Sequence, residues 1–141
     1  MHRIQFFNED IVFTLKNKKS IALWVEQCIL NENFLLGKLN FIFSSDEHLL
    51  TINRKYLNHD YYTDVITFDN STEQKTIEGD VFISIDRVRE NAQENFVSLT
   101  DEIRRIIIHG VLHLCEYYDK SLDDKTKMTE KENAYLSLLK I

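Results

Sequence analysis

Residues 98–120, SLTDEIRRIIIHGVLHLCEYYDK, decide the fold. Hydroxyl and acidic residues at the start of this stretch are typical of a helix N-terminus, and Thr100 is predicted as the cap. The apolar residues that follow are Ile103, Ile106, Ile107, Val111, Leu112 and Leu114. Because a helix that is apolar on most sides has to be covered by other elements, the stretch predicts a buried central helix.

Two histidines interrupt this apolar helix. His109 and His113 are four residues apart, which places both imidazoles on one face, one turn apart. Such a pair either binds one transition metal or consists of two core histidines that each hydrogen-bond to a buried polar group. Asp119 reaches the same point only if the helix ends near residue 115 or 116 and the chain folds back. Two histidines and one carboxylate would leave a fourth position for water, as at a catalytic zinc site.

Gly110 lies between the two histidines. Glycine inside a helix costs about 1 kcal/mol relative to alanine, so its presence predicts close approach of a strand or of a substrate. It also stands where the H-E-x-x-H metallopeptidases carry their general base. The sequence therefore disfavours peptidase activity of that kind, although a water molecule on the metal could still attack another electrophile.

Outward from the central helix, the pattern predicts an α+β fold. Predicted strands cover residues 2–7, 39–43, 63–68 and 80–85, and further helices cover 19–31, a segment capped by Ser45, 86–95 and 123–139. The segment 69–79 is polar and turn-like. Because strands and helices do not alternate regularly, we expect a small central sheet of about four strands packed with four to five helices.

Composition limits the class of protein. The chain has 141 residues and a net charge of −6, which argues against a protein whose whole surface binds nucleic acid but allows a local basic cleft. Two cysteines without a C-x-x-C pair indicate free thiols in a reducing compartment. No signal-peptide pattern and no apolar run of about 20 residues is present. We expect one domain over residues 1–141 and a cytoplasmic location.

Three blocks of sequence resemble the YbeY family of metal-dependent endoribonucleases that mature ribosomal RNA. HGVLHLCEYYD (109–119) is similar to the family signature H-G-x-L-H-L-x-G-Y-D-H. INRKYLNHDYYTDVITF (52–68) is similar to N-x-x-Y-R-x-x-D-x-x-T-D-V-L-S-F, and GDVFIS (79–84) is similar to G-D-I-x-I-S. The blocks occur in the family order.

The resemblance implies both a site and a function. It implies a four-stranded sheet with the metal helix packed beneath it, and one divalent metal ion, zinc, on His109, His113 and Asp119. The catalytic group would be a water molecule on the metal, with no side chain assigned; alternatively, the RNA's own 2′-hydroxyl attacks and the metal acts only as a Lewis acid. It also implies cleavage of single-stranded RNA, notably at the 3′ end of small-subunit rRNA, and a role in ribosome quality control. The expected partners are the small subunit or its associated proteins, with no DNA and no membrane.

Three positions depart from the family pattern. Asp119 replaces the third family histidine, and a carboxylate can replace imidazole at zinc. Glu116 replaces a glycine, which removes an easy left-handed helix cap. Leu57 replaces an arginine that in the family lines the active cleft and is tied to RNA cleavage.

The missing arginine leaves the substrate contacts open. Its role is absent or has moved to Arg54, Lys55 or His59. Asp64 either orients a ligating imidazole or bonds to nearby backbone at the start of a strand. The tyrosines considered for stacking on bases, or alternatively for the core, are Tyr61, Tyr62, Tyr117 and Tyr118. A non-catalytic ribosome-assembly factor with a structural metal, and a metallohydrolase of another substrate, are the alternative functions.

Overall fold

The computed structural model describes residues 3–141, over which four strands form one mixed sheet with five helices around it. In chain order the elements are β1 (Ile4–Asn8), α1 (Lys18–Asn31), β2 (Leu35–Ser44), α2 (Asp46–Leu57), β3 (Val65–Asp69), β4 (Thr76–Ser84), α3 (Ile85–Glu94), α4 (Leu99–Leu114) and α5 (Leu122–Leu138). The sheet order is β1-β2-β4-β3, in which only β3 is antiparallel to its neighbour. The predicted α+β fold is confirmed.

Helix α4 lies at the centre of the larger core. Ile107, Ile108, Val111 and Leu112 are fully buried there, together with side chains of α1 and of the sheet. Helix α5 packs on α4. Helix α2 forms a second, smaller cluster with Ile66 of β3. Because neighbouring residues of a strand point to opposite faces, the two clusters lie on opposite sides of β3.

Gly110 marks the closest approach of α4 to the sheet. A Cβ atom at this position would lie 2.8 Å from Cγ1 of Val81 and 3.7 Å from the methyl groups of Thr67 and Val65. Close approach of a strand therefore explains this glycine. The same contact holds the part of α4 that carries His109 and His113 against β3 and β4.

Several predicted boundaries are shifted. The α4 cap is Ser98, whose hydroxyl accepts a hydrogen bond from the Asp101 amide, and Thr100 already lies inside the helix. The end of the segment predicted as a turn, residues 76–79, belongs to β4, because Thr76 pairs with Leu35 at the start of a longer β2. The predicted strand 2–7 is found at Ile4–Asn8, and residue 2 lies outside the described part of the chain.

Two further observations concern the start of β3 and the character of the helices. Thr63 and Asp64 precede β3 rather than begin it. Across residues 3–141, no helix combines the length and the apolarity that crossing a bilayer requires.

Candidate metal centre

The side chains of His109, His113 and Asp119 converge at one point. Asp119 Oδ2 lies 3.5 Å from His109 Nε2 and 3.4 Å from His113 Nε2, and the two imidazole centroids are 4.6 Å apart. One ligand atom from each residue lies within 4.8 Å of the other two. Ligand atoms at about 2.1 Å from a tetrahedral zinc ion are separated by about 3.4 Å. These three groups could therefore hold one metal ion.

A tight turn after α4 brings Asp119 to the histidines. The Glu116 amide donates to the His113 carbonyl and the Tyr117 amide donates to the Leu112 carbonyl, each over 3.0 Å. This pair of bonds is a Schellman motif, which reverses the chain at a helix end. Glu116 holds its left-handed position at φ 73°, with an exposed side chain. The helix thus ends where the metal-site hypothesis requires, although a glutamate stands at the position of the family glycine.

Glu132 of α5 belongs to the site and was not predicted from the sequence. Its Oε2 lies 2.6 Å from His109 Nδ1, and its Oε1 accepts a hydrogen bond of 2.8 Å from Arg105. Since a carboxylate only accepts, Nδ1 carries the proton in the neutral imidazole, and this tautomer leaves the Nε2 lone pair for a metal. The sequence does hold a signal for it, because this buried acid lies in register with buried Met128 and Tyr135 on the apolar face of α5.

The two imidazoles differ in proton affinity. Burial lowers the pKa of His109, but the hydrogen bond with Glu132 and the negative charges of Glu132, Asp64 and Asp119 outweigh it, so that the pKa is raised. Burial also lowers the pKa of His113, and the positive charge of His109 lowers it further. His113 therefore favours the neutral form, which is the form that binds metal.

The three groups open into a cleft of about 380 Å³. Its other wall comes from the end of α2 and the chain leading into β3, and includes Asn53, Leu57, His59, Tyr61, Thr63 and Asp64. Leu57, at the position of the family arginine, thus faces the cleft without offering a charge. Among the described residues that line the cleft, none is lysine or arginine.

The predicted substrate contacts divide into two groups. His59 and Asp64 line the cleft, whereas Arg54 and Lys55 do not. Arg54 forms an exposed ion pair with Asp60. The ammonium group of Lys55 lies 5.2 Å from the centroid of the neighbouring tyrosine ring. The structure therefore places both basic side chains on the surface, outside the cleft.

Asp64 does not bond to either imidazole. Its Oδ2 accepts a hydrogen bond of 3.2 Å from Asn91 of α3, and its backbone carbonyl accepts one from Ser84. Glu132 makes the contact with His109 that the sequence assigned to Asp64 as one of two possibilities.

The tyrosines also divide by position. Among the four considered, Tyr61 alone lines the cleft, and its ring stacks on that of His59 with centroids 5.1 Å apart. Tyr62 donates a hydrogen bond of 2.6 Å to Glu47, and neither residue lines the cleft. The Tyr118 side chain is exposed.

Comparisons with known proteins agree on one family. The family model described as Endoribonuclease YbeY matches residues 3–140. A protein named Endoribonuclease YbeY from Cytophaga hutchinsonii is 49% identical over 137 residues, which cover 97% of this chain and 96% of that protein. A protein of the same name from Flavobacterium psychrophilum is 47% identical over 135 residues, which cover 96% of each chain.

A solved structure is similar over nearly the same length. The solution structure of a Thermotoga maritima protein matches with a TM-score of 0.65 and 26% sequence identity, covering 96% of this chain and 88% of that one. The sequence matches extend over both the turn that carries Asp119 and the cleft wall. The chain therefore belongs to the YbeY family of endoribonucleases.

Proposed function

We propose that this chain is a metal-dependent endoribonuclease that cleaves single-stranded RNA, with one zinc ion on His109, His113 and Asp119. The observation that carries the proposal is the convergence of three ligand atoms within 4.8 Å of one another in an open cleft. Family membership supports the class of reaction, and the convergence of the three ligand atoms supports this cleft as its site.

The donor set suits a transition metal. Imidazole nitrogens favour zinc and related ions, whereas magnesium and calcium favour oxygen ligands alone. Three protein ligands leave a further coordination position for water or substrate. When bound, such a cation would polarise a phosphoryl oxygen and lower the pKa of a water molecule.

The chain's own residues prepare the site for this chemistry. Glu132 keeps the proton of His109 on Nδ1, so that Nε2 remains available. Arg105 and Asn133 fix that arrangement, because Arg105 donates to both Glu132 and Asn133 over 2.8 Å. Asp119 is 44% exposed, so the ligand group is reachable from the cleft.

The shape of the cleft favours an unpaired strand. A cleft of about 380 Å³ can receive one splayed-out nucleotide, and the bases of an unpaired strand are the ones that can be splayed out. The stacked rings of His59 and Tyr61 form part of its wall. Aromatic faces stack on unpaired bases regardless of sequence, so we propose that this pair receives a base next to the cleaved bond.

Phosphate contacts are proposed from the rim. Since the described residues that line the cleft include no lysine or arginine, His59 would contact the RNA backbone from the wall, and Arg54 and Lys55 would do so from the exposed end of α2. Asp64 would act through its negative charge on His109.

The finer biological role is proposed from the family resemblance. The substrate would be the 3′ end of small-subunit rRNA in the cytoplasm, and the chain would act in ribosome quality control with the small subunit or its associated proteins. Cys28 and Cys115 are buried free thiols, which suits a reducing compartment.

Cleavage of short labelled RNA tests the proposal. The wild type and His48→Ala, a control at a half-buried histidine outside the cleft, should cut single-stranded but not duplex RNA. A chelator should abolish cutting and added zinc should restore it, while His113→Ala should remain at background. Cleavage that survives the chelator, or wild-type activity in His113→Ala, would overturn the proposal.

A modified substrate distinguishes two nucleophiles. A strand with a single 2′-deoxy sugar at the cleaved position should be resistant if the RNA's own 2′-hydroxyl attacks. Undiminished cleavage of that strand would assign the attack to water.

A second candidate function follows from Leu57. Because this residue leaves the cleft without the family arginine, the metal could serve a folding role in a non-catalytic assembly factor. Two results together would favour this second function: thermal stability that depends on metal, and RNA that the protein binds but does not cleave.

A further inference from the structure

Glu32, at the C-terminal end of α1, is a nearly buried acid outside the cleft. Its side chain is 10% exposed and accepts hydrogen bonds from three donors. These are the Tyr117 hydroxyl at 2.7 Å, the Lys131 ammonium at 3.2 Å and the Tyr135 hydroxyl. Burial raises the pKa of Glu32, but these hydrogen bonds outweigh it and lower the pKa, so the group is an ionised acceptor near neutral pH.

Of the three donors, Tyr117 lies in the turn that carries a metal ligand. It is the residue of the Schellman motif whose amide bonds to Leu112, and it precedes Asp119 by two residues. Lys131 and Tyr135 belong to α5. Glu32 thus ties the turn after α4 to α1 and α5 at one point.

The turn needs such support from outside. Glu116 adopts φ 73°, a conformation that residues with a Cβ atom rarely adopt and that glycine adopts freely. Beyond the two histidines, the described residues give the Asp119 side chain no hydrogen bond or ion pair. The position of the Asp119 carboxylate therefore depends on the path of its backbone.

We propose that Glu32 is a positioning residue for the metal ligand Asp119. By fixing the Tyr117 hydroxyl, it holds the strained turn in the arrangement in which the carboxylate reaches both imidazoles. This inference rests on the metal site proposed above. It gives α1, an element that contributes no side chain to the cleft, a role in metal binding.

Zinc affinity, measured by competition with a chelating dye, tests the inference without reference to activity. Tyr117→Phe removes the hydroxyl that bonds Glu32 and should weaken zinc binding about tenfold, as loss of a ligand-supporting contact does. Tyr135→Phe is the control: it removes a hydroxyl that also donates to the Glu32 carboxylate but belongs to α5, outside the turn. It should lower thermal stability but leave zinc affinity within about twofold of wild type, since it shares no contact with the ligands.

A double-mutant cycle separates positioning from a general loss of structure. In the Asp119→Ala background, which keeps both imidazoles, Tyr117→Phe should cause no further loss of zinc affinity, because the group that it positions is gone. In the Tyr117→Phe background, Glu116→Gly should restore most of the affinity, because glycine forms the turn without the support of Glu32.

The outcomes distinguish this inference from the proposed metal site. Wild-type zinc affinity in Tyr117→Phe, or an equal loss in the presence and absence of Asp119, would overturn the positioning role alone. Unchanged affinity in both His113→Ala and Asp119→Ala would instead overturn the metal site itself.

Discussion

At the scale of single residues, the candidate site depends on Glu132, which determines the ring nitrogen of His109 that carries the proton. His109 and His113 were predicted from their spacing, and Asp119 from the need for a third ligand; the structure brings all three together. Glu132 was not predicted, because its contact with His109 joins residues 23 positions apart and no local pattern links them. The hint in the sequence is its helical spacing, which places Glu132 on the same face of α5 as Met128 and Tyr135.

Replacing Glu132 tests this dependence. Glu132→Gln removes the charge that stabilises the Nδ1 proton of His109 and leaves Arg105 without its ion pair. We expect zinc affinity to fall by about 10- to 100-fold, the usual effect of losing a carboxylate behind a ligating histidine. Glu130→Gln, at an exposed position of the same helix, is the matched control and should bind zinc as the wild type does. Equal affinities in the two variants would remove Glu132 from the site.

The contact between Glu132 and His109 also predicts how the stability of the metal-free protein, kept in the presence of a chelator, depends on pH. The pKa of His109 is raised above its ordinary value of 6.5 in the folded protein. A raised pKa means that the folded state holds the proton more tightly, so its stabilising effect is complete below about pH 6.5 and is lost as the pH rises through the folded value. The difference in Tm between wild type and Glu132→Gln should therefore be larger at about pH 5.5 than at about pH 8.5. A difference that grows with pH would contradict the raised pKa.

At the scale of elements, Gly110 allows α4 to pack closely on the sheet, and this packing positions the turn of α4 that carries the two histidines. The sequence predicted this helix well, since its apolar residues recur around most of its surface. It predicted the ends of β2 and β4 poorly, because Thr76 and Leu35 become strand residues only by pairing with each other. Pairing between distant segments overrides local turn propensity, and no local pattern reveals it.

Gly110→Ala tests the close packing of α4. Alanine favours a helix by about 1 kcal/mol, but the new methyl group would lie 2.8 Å from Val81, a fully buried β-branched side chain with little freedom to move. Overpacking of a core costs about 1 to 3 kcal/mol, so we expect a lower free energy of unfolding in urea. Adding Val81→Ala makes room for the methyl group and should reduce the cost of Gly110→Ala. A more stable Gly110→Ala protein would contradict the packing.

At the scale of the whole molecule, an acidic chain with a net charge of −6 has to receive a polyanion. The cleft wall has no lysine or arginine among its described residues, and the proposed basic contacts, Arg54 and Lys55, lie outside it in the last turn of α2. From the sequence, a local basic cleft was only a possibility, because composition does not show which charged residues share a surface. We therefore expect few phosphate contacts.

Salt dependence measures the number of those contacts. With one or two phosphates neutralised, the logarithm of the association constant for single-stranded RNA should fall with the logarithm of salt concentration with a slope of about −1. Arg54→Ala and Lys55→Ala should each flatten that slope. Binding is measured in Asp119→Ala so that the RNA stays intact. A slope steeper than about −4 would indicate a basic surface that the described residues do not show.

The zinc content of protein purified without added metal tests the central claim most directly. We predict about one zinc ion per chain in the wild type and almost none in His113→Ala. Asp119→His, which restores the family ligand, should keep the metal. Equal zinc content in wild type and His113→Ala would contradict the claim that these three side chains form a metal site.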